Sequence, residues 1–184
     1  MLATILYLVA GLVLALVVIG FLLPRQITVE RSIGIDRPAE AIYPWVADLK
    51  TWPQWTVWNQ TEDPSLAYTY SGAANGQGAA MSWTARKMGN GTLTVTAAEP
   101  GKYIRYALRM ERRSMAVHGN IEIEPTGGGA TLVQWFDTVD LGLNPMLRWT
   151  GIPLRPALGQ AYRRNLAGLK SAAETGHAGG PGRA

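Results

Sequence analysis

Ile27-Thr-Val-Glu-Arg-Ser-Ile-Gly-Ile35, continuing into Asp36-Arg-Pro-Ala-Glu-Ala-Ile-Tyr-Pro-Trp-Val-Ala-Asp-Leu49, is the stretch that decides the fold. In its first half Ile27, Val29, Ile33 and Ile35 fall on one side, and Thr28, Glu30, Ser32 and Gly34 on the other. That is the period of a half-buried strand. In its second half Ile42, Trp45, Val46 and Leu49 share one side of a helix predicted over Glu40 to Leu49, with Asp36 as its cap and Pro38 accepted in its first turn. Pro44 donates no backbone hydrogen bond, so this helix starts just before it or kinks there. A turn-like segment follows that carries Trp52, Trp55 and Trp58.

Beyond it, period two dominates. Strands are predicted near Leu66–Ser71, Ala79–Arg86, Thr92–Ala98, Tyr103–Met110, Met115–Glu124 and Thr131–Thr138. The breaks hold Gly89-Asn-Gly91, Pro100-Gly101, Arg112-Arg113 and Pro125-Thr-Gly-Gly-Gly129, short enough to make consecutive strands antiparallel neighbours. Each strand has one wet and one dry face, which suits a sheet covered on a single side. The cover is a helix over Pro156 to Ala173, whose stripe is Leu158, Tyr162, Leu166, Leu169 and Ala173. Ahead of it, Asn144 to Pro153 is an apolar, proline-bounded segment that forms a short helix or a lid. The expected class is α+β: a helix-grip fold, with a seven-stranded antiparallel sheet wrapped around a long C-terminal helix, plus one N-terminal transmembrane helix.

This order of elements resembles the START-related, polyketide-cyclase-like superfamily, to which the birch-pollen-allergen fold also belongs. Val29 to Tyr43 is similar to its first strand and helix, Trp52-Pro-Gln-Trp55 to its tryptophan segment, and Leu166-Ala-Gly-Leu-Lys170 to the end of its last helix. The resemblance spans Ile27 to Glu174. It implies a cavity between sheet and long helix that holds lipids, polyketides or other apolar molecules.

Leu2 to Leu23 carries no charged side chain. A hydrocarbon layer about 30 Å thick takes roughly 20 apolar helical residues to cross, so this run is long enough to span it. No Lys or Arg precedes it and no small-residue pair ends it, so it reads as a retained anchor rather than a cleaved signal. Three parts are therefore expected: an anchor over 1–24, a ligand-binding domain over 25–174 and a disordered glycine-rich tail over 175–184. Arg25, Arg31 and Arg37 follow the span, which favours a single-pass protein with its domain in the cytoplasm. The lipid bilayer is thus one expected partner, through residues 2–23.

The charge is +4, with 17 basic against 13 acidic residues and no basic run longer than two. Nucleic-acid binders concentrate such charge on one stripe or helix, so a membrane surface is the better match and no nucleic-acid partner is expected. With no cysteine, thiolate catalysis, disulfides and cysteine-zinc sites are excluded. Neither metal nor cofactor is expected.

Seven Trp, seven Tyr and six Met stand against two Phe. Indole and phenol rings offer an apolar body with a polar tip, useful for orienting a greasy ligand. Candidate pocket residues are Trp55, Trp58, Met81, Trp83, Tyr106, Met110, Met115, Trp135 and Trp149, each of which could equally fill a core. Catalytic groups are scarce. His118 shares a strand face with Asn120, Glu122 and Glu124 and reads as solvated, and no serine sits in a nucleophile elbow. Asp137 and Asp140 are an odd step apart, so one of them faces inward; Asp137 is the acid/base candidate. Arg105, Arg109, Arg112 and Arg113 form a basic strand end suited to a solvated edge or to anionic headgroups. The leading reading is a membrane-anchored, non-catalytic domain that binds or transports an apolar small molecule or lipid. The alternatives are a cyclase/dehydratase-type enzyme and an interaction module resembling the activators of chaperone ATPase.

Overall fold

The computed structural model describes residues 1–111 and 115–176. Helix α1 (Leu2–Leu22) leads into strand β1 (Gln26–Ile35), helix α2 (Ala39–Ala47) and a single turn, α3 (Trp52–Trp55). Strands β2 (Ala67–Gly72), β3 (Ala79–Thr84), β4 (Gly91–Glu99), β5 (Tyr103–Met110), β6 (Ala116–Gly127) and β7 (Ala130–Asp140) follow. The short helix α4 (Pro145–Arg148) and the long helix α5 (Gly151–Thr175) complete the fold. All seven strands form one antiparallel sheet in the order β1-β7-β6-β5-β4-β3-β2. This is the α+β helix-grip architecture with an N-terminal apolar helix.

Burial follows the sequence pattern. Along β7 every second residue from Thr131 to Val139 is buried, and α5 covers that inner face with Tyr162, Leu166, Leu169 and Ala172. Two register rows matter below. Tyr106 on β5 pairs with Gly119 on β6, which pairs with Asp137 on β7. One row closer to the end where β1 begins, Leu108 pairs with Val117, and Val117 with Val139. The three-glycine turn between β6 and β7 has positive φ at Gly127, Gly128 and Gly129, a conformation open to glycine without steric cost.

Three boundaries differ from the sequence reading. Asp36 is not the cap of α2; extended Pro38 precedes its first turn, and the Asp36 amide donates instead to a Glu174 carboxylate oxygen at 3.0 Å. The long helix begins at Gly151 rather than Pro156, because Pro153 falls in its first turn, where the missing N–H had no partner anyway. It ends at Thr175, closed by Gly176 in the left-handed region. The Arg112–Arg113 turn and the tail from His177 lie outside the described residues.

Helix α1 is long and apolar enough to cross a membrane. It is not the core helix of the domain: only Gly20 of it is buried.

Close backbone approach locks α5 onto α3. A Cβ on Gly168 would overlap the Trp55 carbonyl, which belongs to the backbone and cannot swing aside, whereas a Cβ on Gly34 meets nothing within 4 Å. Gly168→Ala is therefore expected to cost about 1–3 kcal/mol in urea unfolding of the detergent-solubilised chain. Gly34→Ala is expected to be neutral or to gain up to about 1 kcal/mol.

Candidate functional site

Asp137 is the one buried acid on the inner face of the sheet among the described residues that has no cation against it. Aromatic donors surround it. Its Oδ1 accepts from the Tyr106 hydroxyl at 2.7 Å and from the Trp135 indole N–H at 3.2 Å; its Oδ2 accepts from the Tyr162 hydroxyl. The Trp135 N–H also reaches the Tyr106 oxygen at 2.8 Å. Two strands and the long helix thus converge on one carboxyl group.

Gly119 makes this convergence sterically feasible. It lies between Tyr106 and Asp137 in register, and a Cβ there would fall inside the Tyr106 ring and against Asp137 Oδ1. Only glycine lets the phenol lie across β6 and reach the next strand.

Burial pushes the Asp137 carboxyl up from 3.8 to about 6, although all three hydrogen bonds pull the other way. Burial beside this carboxylate raises both tyrosine hydroxyls well above 10.0, so they stay protonated donors at neutral pH. Asp140, three residues on, faces the other way. It pairs with Arg25 at 2.6 Å and is held at about 2 by that bond.

Six rings interlock above the carboxyl group. Trp135 and Tyr162 stack at 4.8 Å and 6°. Trp52, Trp55 and Trp58 meet Trp135 edge-on at 5.8, 5.7 and 5.8 Å, and Trp52 meets Tyr106 at 5.7 Å. The expected cavity between the middle of the sheet and α5 is in this respect corrected: rings occupy the space. The indole N–H of Trp52 donates to Val46 O at 2.9 Å and that of Trp55 to Trp45 O at 3.0 Å, so those polar tips are spent on the protein.

The candidate pocket residues therefore separate. Trp55, Trp58, Tyr106 and Trp135 come together at Asp137, and Met81 lies in the same core. Trp83 packs over Gly91 at the β3–β4 pairing, and Met110 sits beside Gly89. Met115 belongs to a second, looser cluster: Val117, Val139 and Leu141 form its buried floor, while Ile27, Leu108, Leu154 and Leu158 around it are half-buried. Trp149 stands apart, at the C-cap of α4, where its indole N–H donates to Leu16 O of α1 at 3.1 Å. His118 is exposed. Among the described residues no group of three or more His, Asp or Glu is placed to hold a metal ion.

Sequence reasoning missed Tyr162, Asn165 and Gly119. Tyr162 is a polar-tipped ring inside an otherwise aliphatic stripe, and Gly119 is a glycine in mid-strand; both are readable signals. Asn165 lies one turn beyond Tyr162, fully buried. Its oxygen accepts from the Val57 amide at 2.7 Å and its nitrogen has no protein partner.

The sequence profile of the family described as "Polyketide cyclase / dehydrase and lipid transport" matches residues 26–174. The chain belongs to that family. Solved structures share its fold at low identity. DynU16, from the dynemicin biosynthetic locus, is 14% identical with a TM-score of 0.58, over 82% of this chain and 48% of that one. The Aha1 dimer of Colwellia psychrerythraea is 17% identical with a TM-score of 0.56, over 82% and 98%. A Thalictrum norcoclaurine synthase point mutant, in complex with a transition-state analogue, is 10% identical with a TM-score of 0.60, over 82% and 96%. The chain thus spans about half of DynU16 and nearly all of the other two. No protein of curated function matches it. Membership in this cyclase, dehydrase and lipid-transport family makes the chain a ligand-binding helix-grip domain.

The folded chain holds the Asp137 proton more tightly than an unfolded one, so the stability this group contributes is fullest below pH 4 and is lost as pH rises through about 6. The difference is on the order of 3 kcal/mol. Asp63 and Asp140, both held at about 2, change the balance only at lower pH. Urea unfolding at pH 4.5 and 7.5 is expected to show this decline in the parent chain and a nearly flat response in Asp137→Asn.

Proposed function

We propose that this is a membrane-anchored domain that binds an apolar small molecule or lipid, seated beneath the first half of α5 with its polar end at Asp137. The observation that carries this reading is the uneven grip of α5. From Tyr162 onward the helix is buried against sheet and rings, but between Gly151 and Tyr162 only Gly151 and Gly159 are buried. Leu154 and Leu158 sit half-exposed against the cluster of Val117, Val139 and Leu141. By register this cluster is the row next to Tyr106–Gly119–Asp137, so an apolar guest there would end at the carboxyl group. The Tyr106 and Tyr162 protons are committed to Asp137, and the Asn165 nitrogen, one turn beyond Tyr162, is the donor without a protein partner. A buried carboxylate satisfied only by neutral donors costs stability, which is the mark of a group kept for recognition or chemistry.

The anchor is supported by an apolar helix exposed along nearly its whole length, and by its fitted contact with the domain. A Cβ on Gly20 would come within 2.6 Å of Pro145 O, so the end of this helix packs closely against the domain. The arginines after the span favour the cytoplasmic side.

A second reading is cyclase- or dehydratase-type catalysis. Asp137, lifted to about 6, would exchange its proton near neutral pH, and on protonation it would free a Tyr106 or Tyr162 hydroxyl to polarise a carbonyl.

Solvent extraction of the chain purified in mild detergent, followed by mass spectrometry, is expected to release one reproducible apolar species near one per chain. Leu158→Trp, which fills the loose end of the interface, is expected to lower that amount at least about fivefold, the loss a filled pocket implies. An empty parent chain, or equal loading of a folded Leu158→Trp variant, contradicts the reading. Loss of turnover of a polyketide-like substrate in Asp137→Asn, with loading intact, would favour catalysis.

A further inference from the structure

We infer that the segment from the β7–α5 connection into the first turn of α5, Leu143 to Ile152, is a second membrane contact: a wedge seated in the interfacial layer of the leaflet that α1 leaves. This rests on the reading of α1 as a span.

Three independent observations converge on it. The first is placement. Helix α4 lies along the last turns of α1, with Gly20 as the contact point and no room for a side chain against Pro145. Trp149 donates to the Leu16 carbonyl at 3.1 Å, and Arg148 donates to the Phe21 and Leu23 carbonyls at 2.9 and 3.3 Å. Leu16 is six residues before the end of α1, roughly 9 Å along its axis. A side chain bonded there cannot stand clear of a bilayer that α1 crosses.

The second is surface chemistry. Among the described residues, every exposed large hydrophobic side chain lies on α1, on Met1 that caps it, or on this segment: Leu143 is 74% exposed, Met146 46% and Ile152 58%. The rest of the domain hides its large apolar side chains. One continuous greasy surface therefore runs from the helix onto the connection, and lipid is the occupant that covers both parts at once.

The third is charge. Between Asp140 and Glu174 the chain has no acidic residue, while Arg148 lies within the apolar segment and Arg155 just after it. Arg148 also satisfies carbonyls at the C-terminus of α1 and lies 5.7 Å from the Phe21 ring. A tryptophan and arginines around aliphatic side chains are what the headgroup boundary selects. The consequence is functional: the loosely gripped start of α5 is held at the lipid surface, so a guest can pass between bilayer and domain without crossing water.

The chain has no cysteine, so single cysteines carrying an environment-sensitive NBD fluorophore report depth cleanly. They are placed at Leu143, Met146, Val13 in mid-span, and Thr126 at the opposite end of the sheet. The full chain is reconstituted in phosphatidylcholine vesicles containing one quarter phosphatidylglycerol, with quenchers at shallow or deep acyl positions. Leu143→Cys and Met146→Cys are expected to lose at least about half their emission to the shallow quencher, Val13→Cys more to the deep one, and Thr126→Cys to neither. Quenching at Val13 with none at 143 and 146 overturns the wedge alone. No quenching at any position overturns the span and the wedge together. Blue-shifted emission at 143 and 146 that resists lipid quenchers and grows with protein density assigns the surface to a second copy, and also overturns the wedge.

Discussion

One buried carboxyl group ties this molecule together. Asp137 accepts from Tyr106 and Trp135 on the sheet and from Tyr162 on α5, so the polar centre of the core is also the link between its two layers. Everything around it follows from making that link possible in a dry place. Gly119 clears a path for the Tyr106 ring. The stacked Trp135 and Tyr162 planes exclude water, and edge-on tryptophans from the α3 region close the box. The price is a carboxyl group that ionises near pH 6 rather than near 4, a destabilisation that an apolar residue of similar size would not impose.

The two ends of the helix–sheet interface consequently differ. Beyond Tyr162, Gly168 and the alanines let α5 approach the Trp55 backbone and the sheet closely, and the packing is dense. Before Tyr162 the helix carries Pro153, Pro156, Gly151 and Gly159; its two glycines lie close against Leu141 and Arg31, while Leu154 and Leu158 stay half-exposed. Density at one end fixes the helix; in the proposed account the half-exposed leucines at the other end make room for a guest. The loose end is also where α4 and α1 attach, which couples ligand access to the membrane in the proposed account.

Much of this was legible in the sequence. Alternation in Ile27–Ile35 and Tyr103–Met110, the glycine turns, and the stripe of Pro156–Ala173 led to the observed sheet and covering helix. The odd step between Asp137 and Asp140 separated an inward from an outward acid, because side-chain direction on a strand has period two. The filled centre was not legible. Composition announces rings, but whether an indole N–H meets a ligand or the Val46 carbonyl depends on positions set by the whole fold. Tyr162 was read as part of a core stripe because its partner lies on a strand 25 residues earlier. Trp149 was grouped with the pocket because nothing local reveals that its segment docks on α1, more than a hundred residues upstream.

The most direct test of the central link is a carbon-13 titration of the Asp137 carboxyl group in the detergent-solubilised chain, assigned by its loss in Asp137→Asn. A midpoint near pH 6 that moves when an extracted apolar ligand is added back is the expected result. A midpoint below 4, unmoved by ligand, would mean that the carboxyl group is solvated and holds neither the layers nor a guest, contradicting the account.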